Sequence, residues 1–160
     1  MRNALINIGL LLASSLLFLG SLELVLHLSG IVSVGPHPPL IFRTSANPTI
    51  SYELIPNLEQ KAYRSIVQTN ALGFRSREID PSRPLTAVIG DSITFGYGVE
   101  NDETLAARLE ARMPEMQFLN AGVPGYQLGQ ERAVYKEKIA ELDPQAIILV
   151  FFPNDMDEKT

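Results

Sequence analysis

The sequence predicts an α/β chain built on a parallel sheet. Three observations carry that reading. Short apolar runs at 85–89, 116–119 and 146–152 each stop at a cluster of small and polar residues. The stretches between them bring apolar residues round at helical spacing. Strand, helix, strand, helix, strand in that order packs as a parallel sheet joined by right-handed crossovers.

In chain order, residues 4–22 are apolar or small, interrupted by Asn7 and a few serines. That is near the roughly 20 residues needed to cross a bilayer. No clear small-x-small cleavage site follows, which favours a retained anchor over a cleaved signal peptide. A core helix is the third reading. Arg2 precedes the span and the next Lys or Arg is Arg43. Positive charge stays inside, so the N-terminus is expected in the cytoplasm and the body outside it. Glu23 near the outer end reaches the interface.

The domain plan is therefore an anchor at 1–27, a linker at 28–48, a small β or irregular lead-in at 49–80, and an α/β domain at 81–160. Gly35, Pro36, Pro38 and Pro39 favour extended backbone in the linker. In the lead-in, 52–55 and 63–67 read as short strands around Pro56-Asn57, a hairpin with a long loop. Asn70-Ala71-Leu72-Gly73-Phe74-Arg75 is turn chemistry with an apolar pair that can pack on the main sheet. Arg64, Arg75 and Arg77 read as solvated charges.

In the α/β part, Leu85-Thr86-Ala87-Val88-Ile89 is a buried strand by length and β-branched content. Gly90-Asp91-Ser92 stops it, and Gly90 permits a sharp turn beside the serine. Asp102 suits a helix N-cap with Glu103 in the first turn. Leu105, Leu109 and Met113 form that helix's face, and Pro114 ends it. The second strand leads into Asn120-Ala121-Gly122, then a glycine-rich loop in which Tyr126 either lines a cleft or packs. Leu128, Tyr135, Ile139 and Leu142 mark the core side of a second helix. Asp143-Pro144 closes it. The third run, 146–152, is apolar throughout and suited to burial on both faces. It leads into Pro153-Asn154-Asp155.

Several function classes drop out. Gly96 and Gly98 lack the Gly-Lys-Ser/Thr of a phosphate loop and the spacing of a dinucleotide fingerprint. Thr94 stands where the G-x-S-x-G elbow needs glycine. A formal net charge of −5 argues against a nucleic-acid groove. With no cysteine, there is neither a disulfide framework nor a thiolate metal site.

The blocks GDS, NAG and FFPND, each at a strand's carboxyl end, resemble the first three motif blocks of the SGNH (GDSL-type) hydrolases. The resemblance covers about residues 85–155. It implies a flavodoxin-like parallel sheet, strand order 2-1-3-4-5, with Ser92 as the catalytic nucleophile. The backbone N–H of Ser92, the backbone N–H of Gly122 and the side-chain amide of Asn154 would form an oxyanion hole. Gly90, Asp91, Asn120 and Asp155 would support the motifs, Asp155 as a structural hydrogen-bonding group. Such donors stabilise the tetrahedral intermediate of acyl transfer, and losing one costs about a hundred- to a thousandfold in rate.

The family's fourth block, D-x-x-H, which supplies the base, does not occur in these 160 residues. The two histidines, His27 and His37, are not at its position. The expectation is an SGNH domain incomplete after its third strand, on a truncated polypeptide. The resemblance and the outward body imply a small-molecule or carbohydrate ester as substrate, O-acetyl groups on cell-envelope carbohydrate being the natural guess. The membrane is engaged through the N-terminal helix, and neither a metal nor an organic cofactor is implied. The rival readings are a non-catalytic glycan-binding module and a membrane-tethered scaffold whose sheet edge pairs with another chain.

Overall fold

The structure, a computed structural model, describes residues 2–29 and 40–153. The chain divides into two units, Met1–His37 and Pro38–Thr160. The first contains α1 (Arg2–Ser29), a single helix. Its segment Asn3–Ser29 has a mean hydropathy of 2.1 and none of its apolar side chains is buried. It is long and apolar enough to cross a membrane.

The second unit opens with two antiparallel hairpins. β1 (Phe42–Thr44) pairs with β2 (Tyr52–Leu54), and β3 (Glu59–Ala62) pairs with β4 (Ser65–Gln68). This corrects the single hairpin expected around Pro56-Asn57. Residues 42–44, expected in the linker, form an edge for β2. Tyr63 and Arg64, expected inside a strand, are the turn between β3 and β4, with φ of 53° and 69°. A two-residue hairpin turn of this hand needs left-handed backbone, which asparagine and glycine usually supply. The turn therefore had no sequence signal.

The main sheet is β5 (Leu85–Gly90), β6 (Gln117–Gly122) and β7 (Ala146–Val150), all parallel, in the order β6-β5-β7. Between β5 and β6 lie a single turn of helix, α2 (Ser92–Phe95), and α3 (Leu105–Arg112). The cap of α3 is Thr104, whose hydroxyl accepts the Ala107 N–H, rather than Asp102, which sits in a short 3-10 turn. Its inner face is Ala106, Leu109 and Met113, packed on Val88 and Phe118. Leu105, expected on that face, is exposed. α4 (Leu128–Val134) runs on through a π-turn at Tyr135–Ile139 and a 3-10 turn at Ala140–Leu142. Asp143, in left-handed backbone, ends it.

The helices follow from the strand order. Starting from central β5, the chain steps to one side through α3 and back past β5 through α4, so right-handed crossovers put the helices on opposite faces. The burial agrees. Val88 meets the α3 residues, while Ala87 and Ile89 join a larger core with Ile41, Leu54, Val67, Phe74, Val134 and Ile139. β5 and β6 are buried along their whole length. β7 is not: Ile147 is 46% exposed and Leu149 51%. The burial expected on both faces of this run is absent among the described residues.

Candidate active site

Ser92 is the first residue of α2, directly after central β5. It is half-buried. Asp91, the N-cap, accepts the Ile93 N–H through Oδ1 at 2.9 Å. Its Oδ2 accepts the Ser92 hydroxyl at 3.3 Å. As the first helical residue, Ser92 has no intrahelical acceptor for its own N–H. The helix ends after four residues at Gly96, whose φ of 83° is left-handed. The Gly96 and Tyr97 N–H groups both return to the Ser92 carbonyl, at 3.2 and 3.1 Å.

Gly90 and Gly122 are register partners at the ends of β5 and β6. Both need to be glycine because α2 presses on them. A Cβ on Gly122 would lie 2.6 Å from the Thr94 carbonyl carbon and collide with the Phe95 nitrogen. A Cβ on Gly90 would lie 2.8 Å from the Val150 carbonyl oxygen and collide with the Thr94 hydroxyl. Gly122 thus meets the serine helix backbone to backbone, and Gly90 meets the Thr94 side chain and the Val150 carbonyl. The Gly122 N–H donates to Asn120 Oδ1 at 3.1 Å. The other end of that amide, Nδ2, donates to the Phe95 carbonyl at 3.3 Å. Asn120 is completely buried and bridges Gly122 to the helix that carries Ser92.

Among the expected site residues, then, Gly90, Asp91, Ser92, Asn120 and Gly122 come together. Asn154 and Asp155 lie outside the described residues, as does His37. His27 is in α1. Tyr126 is packed rather than open to a cleft: it is buried, edge-on to Tyr52, and its hydroxyl donates to the Tyr52 carbonyl. Desolvation there pushes its phenol well above the usual tyrosine range.

Arg75 is the residue the sequence reading misplaced. Arg64 and Arg77 are exposed as expected, but Arg75 is 2% exposed. Its Nη1 donates to the carbonyls of Phe95 (3.1 Å) and Gly96 (2.7 Å). Its Nη2 reaches the carbonyls of Val99 (2.7 Å) and Ile66 (3.3 Å) and the Ser65 hydroxyl (3.5 Å). Nε donates to Asn101 Oδ1 at 2.7 Å. Burial lowers its pKa while Glu100 opposes that shift. Three arginines within fourteen residues differ in nothing the sequence displays; only the preceding Asn-x-x-Gly-Phe turn distinguishes this one.

A cavity of about 980 Å³ has walls that include Arg75, Arg83, Asn101, Arg108 and Glu110 but neither Ser92 nor Gly122. Its inner arginines are engaged: Arg75 as above, and Arg83 with Glu110 and the Pro114 carbonyl, each at 2.9 Å. Among the described residues no group of three or more His, Cys, Asp or Glu is placed to hold a metal ion. Comparison of the chain with protein-family models and with curated proteins finds no match.

Proposed function

We propose that the protein is a membrane-anchored ester hydrolase of the SGNH type, with Ser92 as nucleophile. One observation carries the reading: a half-buried serine opens a helix straight off the central strand of a parallel sheet, with Gly122 of the neighbouring strand against that helix. Ligands of open α/β sheets gather at this carboxyl rim.

The Ser92 oxygen attacks the ester carbonyl carbon, and its proton passes to a general base. The Ser92 and Gly122 N–H groups, with the Asn154 amide, hold the oxyanion. The tetrahedral intermediate collapses, the alcohol leaves with a proton, and water releases the acid from the acyl-enzyme. Gly122 would exchange its bond to Asn120 for the oxyanion, a side-chain acceptor for a charged one. The base belongs to the D-x-x-H block of the resemblance. An outward-facing body makes O-acetylated envelope carbohydrate the favoured substrate.

The second reading is a glycan-binding module without catalysis, in which the Ser92 hydroxyl stays with the Asp91 carboxylate. A fluorophosphonate probe, applied to protein extended to carry the D-x-x-H block, separates the two. Labelling of the wild type and loss of labelling in Ser92→Ala support the hydrolase. Equal labelling of both, or none of the wild type, overturns it.

A further inference from the structure

The turn Asn70-Ala71-Leu72-Gly73-Phe74-Arg75 has no part in the reaction as written, yet it is built with care. Asn70 Oδ1 accepts the N–H groups of Leu72 (3.1 Å) and Phe74 (3.0 Å). Gly73 takes a φ of 81°, where a Cβ would sit 2.7 Å from the Leu54 carbonyl oxygen. That close approach excludes a side chain. The turn drops Phe74 into the core and sends Arg75 the other way, under α2.

We infer that Arg75 is a positioning residue for Ser92, which rests on the reading of Ser92 above. A helix of four residues cannot hold itself, since nucleation is unfavourable and propagation has hardly begun. Asp91 and β5 fix its first end. Its second end is fixed by Arg75, which grips the Phe95, Gly96 and Val99 carbonyls together. The relay to Ser92 is short: the Gly96 carbonyl accepts from Arg75, and the Gly96 N–H donates to the Ser92 carbonyl. Phe95 is held twice more, by the Asn120 amide on its carbonyl and by the guanidinium 4.7 Å from its ring centroid. Arg75 and Asn120 therefore converge on one carbonyl, and through it the serine helix is registered against Gly122.

The partners are four backbone carbonyls, one amide oxygen and one hydroxyl, spread round a planar fork. Carrying a charge into such a place costs desolvation that carbonyl dipoles must offset. An ammonium is a point charge with three donors and cannot span these acceptors. Lysine is therefore the informative substitution: it keeps the charge and loses the geometry.

The test uses the full chain in detergent micelles, with hydrogen exchange followed on peptides covering 92–99 and on those of β5 and β6. Arg75→Lys is expected to speed exchange in 92–99 about tenfold or more while β5 and β6 keep their protection. The maximal rate of Ser92 labelling by a fluorophosphonate should fall about 10- to 100-fold with the half-saturating probe concentration unchanged, because misplacement acts on the step and not on probe binding. Wild-type exchange in 92–99 overturns the inference, and so does an unchanged maximal labelling rate. Should Arg75→Lys loosen β5 and β6 as well, Asn101→Ala decides: it keeps the guanidinium and removes its Nε acceptor, and it must loosen 92–99 locally or the inference falls. A wild type that never labels, in protein extended to carry the D-x-x-H block, counts against the hydrolase reading; exchange then still decides whether Arg75 holds the helix.

Discussion

Asn120 Oδ1 holds the Gly122 N–H at 3.1 Å, two residues along the same strand, from a side chain with no exposure at all. A strand residue normally sends its side chain into a core of carbon. Here the chain spends a buried amide to aim one N–H and to catch the Phe95 carbonyl at 3.3 Å. Asn120→Leu keeps the branched outline but strips the Gly122 N–H of its acceptor and leaves the Phe95 carbonyl with Arg75 alone. It should lower stability by about 1–3 kcal/mol, read by urea unfolding. Asn120→Asp keeps the acceptor for Gly122 and loses the donor to Phe95, so it separates the two halves of the bridge. A loss in Asn120→Leu below the scatter of the unfolding curve would mean that solvent satisfies these groups.

The glycines at the rim give a sharper contrast. Gly122→Ala drives a methyl into backbone of α2, and Gly90→Ala drives one into the Val150 carbonyl. The Val150 carbonyl and the α2 backbone cannot swing aside, although the Thr94 hydroxyl that also meets a Cβ at Gly90 is a side-chain atom. Each variant should lose about 1–3 kcal/mol and drag α2 from its place. Gly129 is the control, because nothing lies within 4 Å of a Cβ built there. Gly129→Ala, inside α4, should gain up to about 0.5–1 kcal/mol, from the restricted unfolded chain. Parallel thermal melts of the three variants check this, and equal shifts would contradict the close approach.

What was legible in the sequence was the periodic part. The ends of the three parallel strands, and the polar clusters that mark them, could be read because buried strands are short apolar runs stopped by turn residues. Less regular features were hidden for identifiable reasons. The β3–β4 turn uses Tyr63 and Arg64 where a left-handed backbone usually calls for asparagine or glycine. The strand at 42–44 is three residues long, below any useful period. Arg75 looked like Arg64 and Arg77 because side-chain type does not reveal which arginine a turn will carry inward. Asn120 was singled out by its motif, but its buried bridge to Phe95 needed the fold.

Glu53 gives the body a pH dependence whose sign can be worked out. It lies between Arg43 Nη2 at 2.6 Å and Lys138 Nζ. Burial alone would push the carboxyl up, but the hydrogen bonds and charges of Lys138 and Arg43 outweigh it, and the pKa falls below its usual value. A carboxylate depressed in the folded state contributes stability above its unfolded pKa, about 4.3, and loses it as pH falls through the folded value. Glu53→Gln should therefore cost about 1–2 kcal/mol at neutral pH and progressively less below the unfolded pKa. Urea unfolding of both proteins at neutral and acid pH measures the difference. A gap that stays constant into acid would assign the loss to packing instead of charge.

The last prediction concerns β7. Among the described residues this strand pairs only with β5, so its other edge presents backbone donors and acceptors, and Ile147, Ile148 and Leu149 present apolar side chains. Phe151 and Phe152 extend the exposed surface. An uncharged edge of this kind is a template for pairing with another chain, and natural proteins blunt such edges with lysine. Ile147→Lys and Leu149→Lys introduce that charge on side chains already half in solvent, so they should leave the core intact. The expected result, read by light scattering in one detergent across a range of concentrations, is less self-association than in the wild type. Thermal stability should stay within about 0.5 kcal/mol, the usual range for surface substitutions. If scattering is unchanged and stability falls by more than that, the strand is covered in solution and the exposed surface lies elsewhere.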